Sequence, residues 1–367
     1  MKVVDLRAYP ICIPLKETLV TSYGERGFAE FVLVEIETDE GIIGVGESAS
    51  IPIYDEGNPA GDMYILKHYL KPLLLGQDPT NIGNVHFLMN KLVRGHRFVK
   101  AAIDIALYDI MGKYTGLPVC RLLGSAVKNI PVIWLTNPAQ GSKAIEEASR
   151  RINEGFRTIK VKVGKNWCEE IAFLRELRKE IGENFDLRLD ANGAWHWRQA
   201  LVYIRQMENL NISLLEQPVP AWDIVGLKRL TSRSPIPIVA DECILTIYDV
   251  HEIARQKVVD YVNIKVCRSG GLYPALKMAA VAEAAGIVPL VGSMLETGVG
   301  TMAGAHFAAL LNCNTLPAEV IGPLIAQDDV VVPPIQYEGG KLILKQAPGL
   351  GIELDKQKIQ QYLKKEV

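Results

Sequence analysis

Five ionisable residues recur along the chain at intervals of 24–28 residues: Lys162, Asp190, Glu216, Asp241 and Lys265. Each closes a short apolar run of strand type, where a structural sequence would place one more apolar residue. A single acid at such a point is usually a helix cap or a solvated loop residue. Five at one period are poorly explained that way. Three carboxylates in one dry pocket repel one another and lose solvation, so they persist together when a divalent cation joins them. Oxygen ligation without His or Cys selects Mg2+ or Mn2+. Asn192, two residues after Asp190, suits a supporting amide, and Glu242 follows Asp241 directly. Lys160 and Lys162 form an i, i+2 pair and share one face of their strand. Burial and a neighbouring ammonium both lower a lysine pKa, and a neutral lysine is a competent general base. Lys265 comes four strands later, so two lysines would approach a bound substrate from different sides.

The elements that must hold these residues alternate. Candidate strands are Pro131–Thr136, Thr158–Val163, Asp186–Asp190, Ser213–Glu216, Pro237–Asp241, Tyr261–Lys265, Ile287–Val291 and Leu316–Val320, with amphipathic helical stretches such as Glu169–Ile181 and Pro274–Ala285 between them. Eight strands over about 200 residues suit a closed parallel barrel, whose strand ends open on one face. An open doubly wound sheet fits the periodicity almost as well. For nucleotide binding, however, it would want a glycine-rich turn after its first strand, and Leu135-Thr136-Asn137-Pro138 is not one. Before the barrel, Phe31–Thr38 and Ile42–Glu47 flank the turn Asp39-Glu40-Gly41 and predict a hairpin. Lys100–Tyr114 predicts a helix stopped by Gly116-Leu117-Pro118. The expected division is an α+β cap over 1–125, a barrel over 126–330, and a tail over 331–367 that packs back on the cap.

Composition bounds the rest. The 367 residues are 49% hydrophobic and 22% charged, with a formal net charge of −2, which excludes disorder and a basic nucleic-acid surface. The six cysteines contain no C-x-x-C pair, so neither a zinc site nor a redox pair is read. No apolar run reaches membrane length. A soluble cytoplasmic protein acting on a small molecule, with no nucleic-acid or membrane partner, is the expectation.

Taken in order, Lys160-Val161-Lys162, Asp190-Ala191-Asn192, Glu216-Gln217-Pro218, Asp241-Glu242 and Lys265 followed by Gly270-Gly271 resemble the enolase superfamily, in the group named for mandelate racemase and muconate-lactonizing enzyme. The similarity runs the full length of the chain. It implies a modified TIM barrel, (β/α)7β, capped by an α+β domain built from the N-terminus and the C-terminal tail. It also implies Mg2+ (or Mn2+) bound by Asp190, Glu216 and Asp241, with the substrate carboxylate on the metal and an enolate formed when the α-proton leaves. Lys162 and Lys265 would be acid and base on the two faces, Lys160 would touch the carboxylate, and a homo-oligomer is expected. Chemistry of this type serves the handling of protons beside a carboxylate.

Within the group, no His ends the seventh strand, which disfavours mandelate racemase itself. Gly-Ser-Met-Leu-Glu (292–296) and Glu-Val-Ile-Gly-Pro-Leu (319–324) look most like muconate cycloisomerases, with Glu319 bonding the substrate carboxylate or enolate. Cycloisomerisation of a muconate-like diacid is the leading reading. Racemisation or epimerisation of an N-acyl amino acid or another amino-acid derivative, or an o-succinylbenzoate-synthase-like dehydration, is the alternative. A non-catalytic carboxylate-binding barrel would not want lysines on both sides. Specificity in this group resides in two cap loops, here about 21–27 and 51–62. Arg26, Tyr54 and Glu296 are the candidate substrate contacts, Arg26 because its fork suits a distal carboxylate.

Overall fold

In the computed structural model, which describes residues 1–53, 57–311 and 316–364, the chain opens with three antiparallel strands: β1 (Val3–Thr21), β2 (Gly24–Thr38) and β3 (Ile43–Ser48). The expected hairpin is the β2–β3 pair, turning at Gly41 with φ 76°. Strand β1 was not legible in the sequence. It contains Pro10 and Pro14, and its pairing with β2 slips between Pro14 and Leu19, so its alternation is broken. Helix α2 (Arg97–Thr115) packs on this sheet, and α1 (Ile82–Leu92) packs against α2. Nearly the whole of α2 is buried, and Gly116 in the left-handed region ends it. The helix lies hard against β3 at Gly44 and Gly46, where an added Cβ would overlap the carbonyl oxygens of Ala106 and Ala102.

The barrel sheet has seven parallel strands paired in sequence order: β4 (Trp134–Thr136), β5 (Thr158–Lys162), β6 (Asp186–Asp190), β7 (Ile212–Glu216), β8 (Ile238–Ala240), β9 (Tyr261–Ile264) and β10 (Val288–Val291). Helices α3 (Ser142–Asn153), α4 (Trp167–Ile181), α5 (Trp197–Met207), α6 (Ile224–Thr231) and α7 (Ile247–Gln256) make the crossovers from β4 to β9. After β9 come the single turn α8 (Val266–Ser269) and then α9 (Leu272–Ala284); α10 (Gly298–Leu310) follows β10. In-order parallel pairing of this kind is the barrel, not the doubly wound alternative, whose strand order reverses partway.

Two expected strands differ in form. The first divides: Ile130–Pro131 pairs with Lys341–Leu342 of the tail, and only Trp134–Thr136 joins the barrel. The eighth, over 316–320, is a closure rather than a ladder strand. Ile133 N donates to Ala318 O (3.1 Å), Ala318 N to Pro131 O (2.9 Å) and Glu319 N to Val291 O (2.9 Å), which ties β10 back to β4. Pro317 has no N–H to extend this pairing.

The tail reaches the cap at several points. Val119 N donates to Gly349 O (2.9 Å), Leu350 N to the carboxylate of Asp109 (2.8 Å), and Leu363 bridges Ile11. Among the described residues, no helix is long and apolar enough to cross a membrane.

Gly46→Ala forces a methyl into the Ala102 carbonyl and should destabilise the protein by about 2 kcal/mol or more. Gly27→Ala, where the new methyl meets only Thr18 at 3.9 Å, is the control and should stay within about 0.5 kcal/mol. Chemical denaturation of both variants checks the pair; equal stabilities would contradict this packing.

Candidate active site

The strand ends deliver the series to one place. Lys160 and Lys162 lie on β5, and register puts Lys162 beside Asp190 of β6 and Asp190 beside Glu216 of β7. Asp241 and Lys265 stand one residue past the last paired residues of β8 and β9. The carboxylates of Asp190, Glu216 and Asp241 offer oxygens all within 4.8 Å of one another, and all three residues are buried.

Cations hold this cluster together. Lys160 Nζ, 2% exposed, donates to Glu216 (2.8 Å) and to Glu319, and lies 3.1 Å from Asp190. Burial alone would lower its pKa, but Asp190, Glu216 and Glu319 outweigh burial and hold it well above the ordinary lysine value. The expected mutual depression of neighbouring ammonium groups therefore does not govern Lys160, because carboxylates surround it. Lys162 Nζ donates to Asp190 (2.6 Å) and to Asn192 Oδ1 (3.1 Å), and Asn192 Nδ2 donates to Glu242 (2.8 Å). Lys265 Nζ donates to Asp241 Oδ2 (2.7 Å).

The acids respond unequally. Burial pushes all three of the triad up. Lys160 and Lys162 overcome it at Asp190, and Arg268 and Lys265 overcome it at Asp241, so both fall below the usual carboxylate range. Glu216 stays well above that range, because burial and its acidic neighbours outweigh Lys160. Burial, with Asp241 and Asp190, also lifts Glu242 to about 7.

Three residues without an assigned role in the sequence reading complete the framework. Arg268 donates from Nη2 to the backbone oxygen of Asp241 (2.8 Å) and to its carboxylate. The signal was present: Arg268 is three residues past Lys265, just before Gly270 and Gly271 (φ 97° and 114°) end the single turn of α8. Asn263, two residues before Lys265 on the same strand, donates to Glu216 (3.0 Å). Gln217, a motif residue held at φ 33°, accepts from Asp241 N (2.9 Å) and braces the fifth strand end.

Over this cluster lies a small cavity of about 50 Å3 that opens to solvent. Lys162, Lys265, Glu319, Asn192, Glu242 and Arg268 form its polar floor. Leu19, Arg26 and Ile51 come from the cap, while Leu135, Ser293, Met294 and Leu295 come from the barrel loops. The cap tip between β1 and β2 is latched at two points. Asn137 Nδ2 donates to Val20 O, and Ser22 Oγ donates to Asn192 O (2.9 Å). Arg26 is in the cavity wall. Glu296 is not: it is 4% exposed, accepts from Ser293 Oγ and packs against Gly300 and Cys267. The apolar loop residues Met294 and Leu295 take the wall position instead. Tyr54 lies outside the described residues.

A cradle of three buried carboxylates without sulfur or imidazole fits a hard divalent cation, and the open cavity above it leaves room for oxygen ligands from a substrate.

Known proteins share this organisation. A family model described as the mandelate racemase / muconate lactonizing enzyme N-terminal domain matches residues 6–124, and one described as enolase C-terminal domain-like matches 143–358. An N-succinyl-L-Arg/Lys racemase of Bacillus cereus is 36% identical over 98% of each chain. A muconate lactonizing enzyme from Pseudomonas fluorescens, solved with muconolactone, superposes with a TM-score of 0.95 at 32% identity over 99% of each chain. A dipeptide epimerase from Enterococcus faecalis, solved with Mg and L-Leu-L-Tyr, gives 0.91 at 34% identity, covering 96% of this chain and 100% of that one.

Mn2+ or Mg2+ at ~100 times its dissociation constant should stabilise the wild-type fold by about 2.7 kcal/mol, raising the melting temperature. Asp190→Asn, Glu216→Gln and Asp241→Asn should each abolish most of that shift. Lys160→Met leaves buried carboxylates uncompensated and should cost about 3–5 kcal/mol without metal. Added metal should restore more stability to this variant than to the wild type. A melting curve indifferent to both ions would remove the metal assignment.

Proposed function

The chain belongs to the mandelate racemase / muconate lactonizing enzyme family of the enolase superfamily, and on that premise we propose that it is a divalent-metal-dependent isomerase acting beside a substrate carboxylate. The ion read for Asp190, Glu216 and Asp241 is Mg2+ or Mn2+. When bound, it supplies positive charge where an enolate develops.

The reaction supported best is racemisation or epimerisation of an N-acyl amino acid or a similar amino-acid derivative. The observation that carries it is the pair Lys162 and Lys265. They stand on strand ends four places apart, each is ion-paired to a different acid of the triad, and both border one cavity. Inversion at carbon needs two such groups; a one-face reaction needs one. In one direction the α-C–H bond breaks and its proton passes to neutral Lys162 Nζ. Lys265, protonated, then gives a proton to the opposite face, and a C–H bond re-forms with inverted configuration. Lys160 and Glu319 form the charged floor beside the substrate carboxylate. Arg26 is the partner for an anionic distal group, and Leu19, Ile51 and Leu135 suit an apolar body. Cap and loops together keep bulk water from the carbanionic carbon.

Muconate-type cycloisomerisation is the second reading. It is favoured by the superposition with the muconate lactonizing enzyme over nearly the whole chain, and it uses Lys162 as the proton donor to the enolate.

A panel of N-succinyl amino acids, dipeptides and cis,cis-muconate with Mg2+ present separates the two readings. The racemase reading expects α-hydrogen exchange in D2O on both antipodes of one substrate. Lys162→Ala and Lys265→Ala should each lower racemisation by about a hundredfold or more, while each retains exchange on a different antipode. Lactone formation from muconate with inert amino-acid derivatives would favour the second reading. Full activity in both lysine variants on every substrate would sink both readings.

A further inference from the structure

Leu295 holds φ 61°, in the left-handed region that a leucine rarely adopts. Such backbone persists where its surroundings over-determine it, and here they do. Leu295 N donates to Ser293 Oγ (2.7 Å). A serine hydroxyl has one hydrogen, and Ser293 gives it to a carboxyl oxygen of Glu296, so its own oxygen is left to accept. Glu296 therefore governs which way the Ser293 hydroxyl points. Behind the turn, Thr301 Oγ1 donates to Glu296 O (3.2 Å), and Gly322 lies so close that an added Cβ would overlap the same oxygen. The Glu296 side chain is seated on Gly300, where an added Cβ would come within 2.6 Å of its Cβ and Cγ. Ser293, Met294 and Leu295 are three consecutive residues of the cavity lining. The cavity holds only about 50 Å3, so where this loop stands decides what the cavity admits.

We propose that Glu296 is a positioning residue for substrate selection: through the Ser293 hydroxyl it holds Leu295 left-handed, and the loop so fixed limits the size of the substrate group that the cavity accepts. The inference rests on the reading above, in which the substrate occupies this cavity. Glu296 acts through the wall and touches neither the substrate nor the catalytic lysines. Leu19, Ile51, Leu135, Met294 and Leu295 make the lining beside that wall apolar. The substrate is then an amino-acid derivative with a compact apolar side chain, because a wall held from behind does not yield to a larger one. Without the bond from Leu295 N to Ser293 Oγ, Leu295 is free to return to an ordinary backbone region, and the loop moves with it.

The probe is whichever series of the panel above the wild type racemises, N-succinyl or dipeptide, with alanine, leucine and phenylalanine at the reacting position. Melting temperature is the folding control. In Ser293→Ala and Glu296→Ala, kcat/KM for the phenylalanine compound relative to the alanine compound should rise about tenfold, through KM rather than kcat. Glu296→Gln, whose amide oxygen can still accept from Ser293, should keep the wild-type ratio within about twofold. Leu295→Gly takes the left-handed region freely, so in that background Glu296→Ala should move the ratio by no more than about twofold. An unchanged ratio in Ser293→Ala and Glu296→Ala overturns the proposal. So does a Glu296→Gln ratio equal to that of Glu296→Ala, which would make charge rather than the hydrogen bond the agent. A fall in kcat equal for every compound at constant ratio overturns it too. Glu296 would then act through Cys267, whose thiol bonds the same carboxyl group and lies two residues past Lys265. If Glu296→Ala does not fold, Ser293→Ala decides by the same ratio. A wild type that racemises neither series overturns the functional reading itself, a result distinct from the others.

Discussion

Everything at the mouth of this barrel depends on keeping charge paired where water is scarce. Lys160, Lys162, Lys265 and Arg268 face Asp190, Glu216, Asp241, Glu242 and Glu319 in a space where most of these groups are buried. An uncompensated ion there costs several kcal/mol. The order of acids and bases around the ring is therefore a folding constraint as much as a catalytic one. Lys160 is its centre: one ammonium meets carboxylates from the third, fourth and eighth positions of the barrel. The slight excess of carboxylate over cation that remains is what suits the floor to a divalent ion.

The cap is bound to the barrel by the same currency of charge and donor. Glu47 of β3 is buried and accepts from Thr297 N (3.0 Å), Thr297 Oγ1 (2.6 Å) and Gly300 N (2.8 Å), at the start of α10. Asp104 of α2 accepts from Leu272 N and Tyr273 N at the start of α9, and from His86 (2.7 Å). Two cap carboxyl groups thus accept from the orphaned N–H groups at the N-terminal ends of two barrel helices, although burial pushes Glu47 up to about 8. One of those helices follows the loop carrying Met294 and Leu295, and the other follows the turn carrying Lys265 and Arg268. The cap consequently fixes the walls of the cavity from behind as well as covering it from above.

What the sequence disclosed follows from which signals are periodic. The strand-end charges repeat once per βα unit, so the triad and both lysines could be found without a structure. Arg268 and Asn263 obey equally simple offsets from Lys265, but an arginine before two glycines and an asparagine inside a strand have ordinary structural explanations, and nothing repeats them. Glu296 shows the reverse case. Its place in a recognisable motif suggested substrate contact, whereas its side chain is used to brace Ser293. Strand β1 escaped because two prolines and a pairing slip erased its alternation, and the eighth strand shrank to a bridge because Pro317 cannot extend a ladder.

The cap is made from both ends of the chain. Ile11 bridges Leu363, Leu15 bridges Ala326, and Asp109 receives Leu350, so residues from the first third of the sequence wait for partners near its end. On a ribosome, that means β1 and α2 emerge before the residues that complete their packing. The hairpin and α2 are synthesised early with their tail-facing edge open, and the barrel must form in between. Pairings of such high sequence separation are slow to close. A nascent chain of this design carries that surface unfinished until residues 326–363 are made, and their loss would be felt at Ile11, Leu15 and Asp109.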